Sequence, residues 1–196
     1  MRYPPDRKEQ TRVELIKVAG GVFRAKGFDG IGVDGLAAEA GLTSGALYKH
    51  FGTKRAVFRE VVQVGLERLC AGIERFQRQS KREWLPDLAR WYMGSVHRAD
   101  VAGGCALPSL TPEVVKAEDE TRAAYQQGLL KAVDALMSQP PFRGAVHGRE
   151  RAWVTLALLA GGVSLSRAVP DPLLANEIGE AVRRAIEATG KETKRR

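Results

Sequence analysis

Hydrophobic residues recur every three to four positions along nearly the whole chain, and no segment alternates convincingly with a period of two. Apolar residues at that spacing cover one face of an α-helix, so the pattern predicts an all-α protein. The first helix is predicted over residues 8–26, and Gly27 suits the left-handed conformation that ends many helices. Its buried face is predicted from the stripe Leu15, Ala19, Val22 and Phe23.

Two short helices separated by a tight turn are predicted next. The first covers residues 33–40 and ends at Gly41. Either Thr43 or Ser44 can cap the second, because both side chains can accept a hydrogen bond from a free N–H group of the first turn. Gly52 ends this second helix. Such a pair cannot bury both its faces alone, so the first helix of the chain is expected to support it.

The rest of the chain is also predicted to be helical, which gives about nine helices in total. Thr53 can cap a long fourth helix, and the polar run 77–82 is interpreted as the loop that follows it. Thr111 followed by Pro112 predicts the start of another long helix, which runs to Met137, because proline is favoured in the first helical turn. The other helices are predicted from Trp84, over part of 99–110, over 150–168, and from Asp171 and Pro172 onward.

These elements predict two domains and a tail. An N-terminal three-helix domain is predicted over residues 8–68, with a helix-turn-helix at about 32–51. A larger helical domain, for regulation and dimerisation, is predicted over residues 69–190. The last segment, 191–196, is interpreted as a basic tail.

The exposed face of the second short helix carries small, polar and basic groups. Small residues at a helix N-terminus let the backbone approach base edges, and basic or hydroxyl side chains reach phosphates. Free N–H groups at the start of the fourth helix can hold a further phosphate. A helical hairpin with an ordinary polar surface is the alternative. The candidate DNA-contacting residues are Val33, Thr43, Ser44, Gly45, Tyr48, Lys49, His50 and Lys54.

This segment closely resembles the DNA-binding domain of the TetR family of regulators. The resemblance rests on Phe23, Lys26-Gly27-Phe28, Leu36-Ala37, the string from Ala40 to Phe51, and Lys54. It implies a homodimer whose recognition helices enter successive major grooves of a palindromic double-stranded operator. It also implies a C-terminal domain that binds a small-molecule inducer and alters the spacing of those helices. Ala56 and Val57 stand where the family often has an acidic residue.

The charge of the chain agrees with a nucleic-acid partner. The net charge is +8 and the pI is about 9.8, which favours polyanions: nucleic acid first, an anionic membrane surface second. The basic excess lies at the two ends, since residues 1–55 carry a net +4 and residues 191–196 a net +3. A basic surface that serves only solubility is the alternative.

No motif for a metal, a cofactor or catalysis is found in the sequence. The two cysteines, Cys70 and Cys105, are far apart and belong to no Cys/His cluster, which argues against a zinc site and against a disulfide framework. We therefore expect a cytoplasmic protein without a signal peptide. The apolar run 153–165 is shorter than the roughly 20 residues that span a bilayer, so we interpret it as a buried helix and expect no membrane partner.

An inducer pocket is predicted among the helices from Arg55 to Met137. Aromatic walls with a few polar groups suit a flat or aromatic small molecule. Each aromatic residue could instead be an ordinary core residue. Cys105 could be a thiol sensor or a small apolar filler. The candidate ligand-binding residues are Trp91, Tyr92, His97, Cys105, Tyr125 and Trp153.

The last two helices carry enough apolar residues for an intersubunit four-helix bundle, although packing within one chain is the alternative. Gly161 and Gly162 each cost about 1 kcal/mol of helix propensity, which predicts the close approach of another helix.

Three classes of function are considered for an all-α chain of this composition: a repressor, an enzyme and an architectural DNA-binding protein. A ligand-responsive repressor is the leading hypothesis. An enzyme on a helical bundle is disfavoured because the sequence lacks a Glu-x-x-His pair, a phosphate-binding glycine loop and a nucleophile elbow. An architectural DNA-binding protein is disfavoured because such proteins need little besides a basic surface, whereas this C-terminal half is large and nearly neutral.

Overall fold

The structure is a computed structural model that describes the backbone of residues 5–191 and the side chains of residues 9–191. Within that part of the chain it contains ten α-helices, one 3₁₀ turn and no strand, which confirms the all-α class. The first five helices are α1 (Pro5–Lys26), α2 (Val33–Glu39), α3 (Ser44–Phe51), α4 (Lys54–Ser80) and α5 (Trp84–Tyr92), with the 3₁₀ turn Lys81–Glu83 between the last two. The others are α6 (Ser95–Ala99), α7 (Ala106–Val114), α8 (Asp119–Met137), α9 (Gly148–Ala168) and α10 (Pro172–Thr189). The predicted basic tail, apart from Lys191, lies outside the described residues.

The predicted loop at 77–82 is wrong. Helix α4 continues to Ser80, and the 3₁₀ turn follows directly. The side chain of Gln77 explains the continuation, because its Nε2 donates a 2.8 Å hydrogen bond to the Ala135 carbonyl and its Oε1 accepts from the Ser138 hydroxyl. The polar run is therefore anchored to the end of α8, a contact that periodicity does not encode.

The predicted helix start at Thr111 is also wrong. Thr111 and Pro112 both lie inside α7, and α8 begins only at Asp119. The Thr111 hydroxyl donates to the Leu107 carbonyl one turn earlier, at 2.6 Å. The Thr111 side chain therefore bonds to the backbone inside α7 and does not cap a helix. The cap of α7 is Cys105, whose Sγ accepts a hydrogen bond from the Leu107 N–H.

The chain folds into two compact units. The first combines the chain up to Gly65 with the segment Val101–Gln126, and the second combines Leu66–Asp100 with the chain from Gln127 onward. In the first unit, the core is centred on the rings of Phe23 and Phe58, whose centroids are 5.3 Å apart. The predicted boundary at residue 68 separates a DNA-binding domain from a regulatory domain and stays a prediction. The two packing units do not test it, because they are defined by contacts alone and group 101–126 with the N-terminal helices.

In the second unit, α9 packs tightly against α10. A Cβ atom at Gly162 would lie 2.7 Å from Val182 Cγ1 and 2.8 Å from Met93 Cε, so a glycine is needed for this contact within the chain. Gly161 has no neighbouring atom within 4 Å of such a position. The expected close approach is thus made by Gly162, and it is an intrachain approach.

The interpretation of residues 153–165 as a buried helix holds for one face only. Helix α9 buries one face, which includes Leu156 and Leu159, while Val154 is 48% and Leu165 60% exposed. None of the helices in the described part of the chain is both long and apolar enough to cross a membrane.

Candidate nucleic-acid interface

Helices α2 and α3 form the predicted helix-turn-helix. Gly41 has φ +66°, a left-handed conformation that favours glycine. The Leu42 N–H donates a 2.8 Å hydrogen bond to the Ala37 carbonyl and closes the turn. Thr43 Oγ1 then accepts the Ala46 N–H at 3.2 Å and caps α3. Of the two residues that the sequence left open as the cap, the structure selects Thr43.

Helix α3 has one buried and one exposed side. Leu47 is fully buried against the rest of the unit. Tyr48 is 50% exposed, so its ring and hydroxyl are accessible to a partner. The other candidate DNA-contacting residues of this segment are exposed at Thr43, Gly45 and Lys49 and half-buried at Val33, Ser44 and His50. The exposure agrees with a recognition helix, and the DNA contacts themselves stay a prediction.

Ser44 is held by the preceding helix. Its hydroxyl donates a hydrogen bond to the Asp34 carboxylate of α2. This contact fixes the relative position of α2 and α3 and commits the hydroxyl proton. Ser44 is therefore oriented as an acceptor toward any external partner.

Gly45 is not required by the packing of the free protein. A Cβ atom built there would have only Thr43 Oγ1 within 4 Å, at an ordinary contact distance of 3.9 Å. Gly45 also lies inside a helix, where alanine is the more stable residue. The missing side chain therefore leaves open space on the outer surface of α3, where a base edge or phosphate can approach the backbone.

Arg12 of α1 holds the C-terminal end of α3. Its Nη1 donates to the His50 carbonyl at 3.2 Å, and its guanidinium lies 4.6 Å from the centre of the Phe51 ring. Its Nε donates to Glu60 Oε1 at 3.0 Å. Sequence reasoning missed Arg12 and Glu60, because the two residues are 48 positions apart and no spacing pattern connects them.

The start of α4 is built as predicted. Thr53 Oγ1 accepts the Ala56 N–H at 3.1 Å, so Thr53 is the cap. Lys54 is half-buried, with its Nζ 4.1 Å from the centre of the Phe28 ring. A ring face attracts the ammonium without taking its N–H donors, so Lys54 can still donate to a phosphate.

Three of the candidate ligand-binding residues lie together in the second unit. The His97 ring is 4.6 Å from the Trp91 ring and 4.4 Å from the Tyr92 ring, centroid to centroid. His97 Nδ1 is 2.8 Å from the Tyr92 carbonyl oxygen, and burial lowers the pKa of His97. Tyr92 and His97 are buried, whereas Trp91 is 47% exposed and packs beside Phe76.

The other three candidates lie elsewhere. Tyr125 belongs to the first unit, where its hydroxyl is 2.5 Å from Thr111 Oγ1 and burial raises its pKa. The half-buried Cys105 caps α7 in the same unit. Trp153 is 37% exposed on α9.

An open cavity of about 460 Å³ includes Tyr125 in its lining. It lies between α7 and α8 in the first unit. Its walls are formed by Thr111, Val114, Val115, Asp119, Arg122, Ala123, Tyr125 and Gln126. Within residues 9–191, no three His, Cys, Asp or Glu side chains are grouped as a metal ion would require.

The sequence of the helix-turn-helix matches a known family. Residues 15–61 match the profile described as bacterial regulatory proteins, tetR family. The HTH-type transcriptional activator FasR of Mycolicibacterium smegmatis is 30% identical over 66 residues, which are 34% of this chain and 30% of FasR. The chain spans about 30% of the length of the curated relatives it matches.

Solved structures with the same fold cover nearly the whole chain. The structure of E. coli NemR in its reduced form is similar with a TM-score of 0.79 and 16% identity, over 95% of this chain and all of the other. A transcriptional regulator of the TetR family from Cytophaga hutchinsonii has a TM-score of 0.75 and 20% identity, over 98% of this chain and all of the other. Residues 15–61 thus match the tetR family of bacterial regulatory proteins in sequence, and the chain as a whole shares the fold of these solved structures.

Proposed function

We propose that the protein is a sequence-specific DNA-binding transcriptional regulator and acts as a homodimeric repressor that a small-molecule inducer releases from its operator. The observation that carries this proposal is the outer face of α3. This face exposes Thr43, Gly45, Tyr48 and Lys49, and Gly45 adds no side chain to it. The helix is anchored at one end by Asp34 and at the other by Arg12. A fixed helix with an open polar surface is what major-groove readout needs.

The homodimer is supported by the exposed face of α9 and α10. Large apolar side chains on these helices are exposed to solvent in the single chain. A large exposed apolar patch commonly marks a site where another protein binds. A self-complementary pairing of this face would bury it around a two-fold axis. The residues concerned are Trp153, Val154, Leu165, Leu173 and Leu174.

Inducer binding is supported by the ring cluster of Trp91, Tyr92 and His97. A half-exposed indole beside a buried imidazole and phenol offers a flat apolar surface with polar groups nearby. We propose a flat or aromatic small molecule as the inducer, with no cofactor and no catalysed reaction. Release of DNA follows if this ligand binds the non-binding conformation more tightly.

Selection of DNA from a random duplex library tests the first part of the proposal. The purified protein should enrich a palindromic sequence whose half-sites lie about one helical turn apart. Failure to enrich any sequence, with a folded dimer in hand, would overturn the proposal. A reporter gene behind the enriched sequence then distinguishes repression from activation.

A further inference from the structure

The segment Val101–Gln126 is fixed against two helices of the N-terminal unit. Arg24 Nε of α1 donates a 2.6 Å hydrogen bond to the Ala102 carbonyl. At Gly65 of α4, a Cβ atom would lie only 2.4 Å from Ala106 Cβ, so the two helices approach as closely as a glycine allows. Movement of α7 therefore has to move its neighbours or break these contacts.

Glu113 is the polar contact between α7 and the turn after α1. Its Oε2 accepts the Phe28 N–H at 3.4 Å, and the half-buried carboxylate has no cationic partner among the residues that the structure describes. The preceding Gly27 has φ +75°, and a Cβ atom there would lie 3.2 Å from Glu113 Oε1. The carboxylate is thus seated on the backbone of this turn.

The side chain of Phe28 continues the path toward the DNA-contacting surface. Its ring centre is 5.2 Å from that of Phe58 and 5.9 Å from that of Phe23, so the half-buried ring packs against the core of the unit. The Lys54 ammonium lies over the same ring, 4.1 Å from its centre. The position of the Phe28 ring therefore sets where the Lys54 charge is held.

We infer that Glu113 is a positioning residue for DNA binding: its bond to the Phe28 N–H fixes the ring that places Lys54 at a phosphate. The inference rests on the proposed function and adds a route by which the 101–126 segment acts on the DNA surface. When Glu113 leaves the turn, the Phe28 ring is free to shift and the Lys54 phosphate contact weakens.

The direction of the change in DNA affinity distinguishes a positioning role of Glu113 from simple electrostatic repulsion. Removal of an acidic side chain from a DNA-binding unit reduces repulsion and by itself strengthens binding. Positioning predicts the opposite for Glu113→Ala. Glu120→Ala, at an exposed acid on α8, removes the same charge without touching the turn and serves as the matched control.

The experiment measures the dissociation constant of the duplex enriched by the wild-type protein over a range of salt concentrations. Glu113→Ala should weaken binding several-fold and lower the slope of log K against log salt by up to about 0.9, the value for one phosphate contact. Glu113→Gln keeps an acceptor oxygen and should restore both quantities. Glu120→Ala should bind as tightly as wild type or more tightly.

A double-mutant cycle completes the test. In a Lys54→Ala background, Glu113→Ala should cause little further loss, because the contact it positions is already gone. Equal behaviour of Glu113→Ala and Glu120→Ala, or fully additive losses, would overturn the inference. If the Glu113→Ala variant unfolds, Glu113→Gln is compared with Glu120→Ala instead. Loss of DNA binding in Glu113→Gln would then contradict the proposed role of Glu113 as a hydrogen-bond acceptor. A wild-type protein that binds no DNA would instead refute the proposed function itself.

Discussion

Arg12 and Glu60 form a two-point contact in the N-terminal unit: Arg12 Nε donates to Glu60 Oε1 at 3.0 Å, and Arg12 Nη2 pairs with Oε2. This pairing orients the guanidinium so that its remaining nitrogen reaches the His50 carbonyl. The planar fork of arginine makes all these contacts at once, which a lysine ammonium cannot do. The end of the recognition helix is thus tied to both α1 and α4 through one side chain.

Arg12→Lys should weaken operator binding several-fold although the charge is unchanged. The lysine cannot hold Glu60 and the His50 carbonyl together, so the end of α3 loosens, and the free energy of unfolding should fall by about 1 kcal/mol. Fluorescence anisotropy with the enriched duplex and urea denaturation measure the two effects. Lys17→Arg, an exposed change on the same helix, is the control. Wild-type affinity in Arg12→Lys would show that the clamp plays no part in recognition.

Gly45 variants should separate stability from DNA binding. Gly45→Ala meets no close neighbour and should raise the free energy of unfolding by up to about 1 kcal/mol, because alanine favours the helix. Gly45→Leu should remain folded yet bind the operator at least tenfold more weakly, since its side chain fills the space that DNA approaches. Thermal unfolding and gel-shift titration of the same samples check this. Equal affinity of Gly45→Leu and wild type would place the DNA elsewhere.

Local signals in the sequence predict the fold well. As expected, Gly27 ends α1 in the left-handed conformation, Gly41 follows the end of α2, and Thr53 and Asp171 cap the helices that follow them. Each of these signals depends on neighbouring backbone groups, which lie within a few residues. The exposure of Gly45 and Lys49 could be predicted for the same reason, since helical period alone places these two residues opposite Leu47.

Contacts between distant segments could not be predicted in this way. Glu113 bonds to a backbone N–H 85 positions earlier, and neither residue type nor spacing marks that pair. The false helix start at Thr111 has a related cause: a local signal was present, but the Thr111 hydroxyl turned inward to the Leu107 carbonyl. Tertiary packing decided both cases.

Leu165→Glu should convert the proposed dimer into a folded monomer. Leu165 is 60% exposed in the single chain, so a charge there is tolerated alone but is unfavourable in a buried interface. Sedimentation velocity at micromolar concentration measures the change, and circular dichroism confirms the fold. A monomeric wild-type protein would refute the dimer.

Gly162→Leu tests a different contact in the same helix. Because a side chain at Gly162 collides with Val182 and Met93 within the chain, we expect overpacking to cost about 1–3 kcal/mol of stability. Gly161→Leu has free space around it in the single chain and should not destabilise the monomer, because leucine favours the helix more than glycine does. A matching loss of stability in both variants would show that the two glycines have equivalent surroundings.

Trp91→Ala should abolish or greatly weaken the response to inducer while operator affinity without inducer stays near wild type. The indole is half-exposed and contributes a flat surface beside Phe76 and His97, so its removal costs the ligand more than it costs the fold. A thermal-shift screen of small aromatic compounds supplies the ligand for this comparison. Loss of operator affinity together with a normal ligand response would place the pocket elsewhere.

Stability should depend on pH through His97. Burial lowers the pKa of this imidazole, and the nearby positive charge of Arg167 lowers it further, although the Tyr92 carbonyl and Asp100 act in the opposite direction. The folded state therefore binds fewer protons than the unfolded state below the unfolded pKa of about 6.5. The contribution of His97 to stability is complete above that pH and is lost as the pH falls through the folded pKa, with a slope of at most about 1.4 kcal/mol per pH unit.

Urea denaturation between about pH 8 and pH 5 should show a steeper loss of stability in wild type than in His97→Gln, which has no titrating ring. An identical pH dependence in wild type and His97→Gln would mean that the imidazole is not held neutral by its burial.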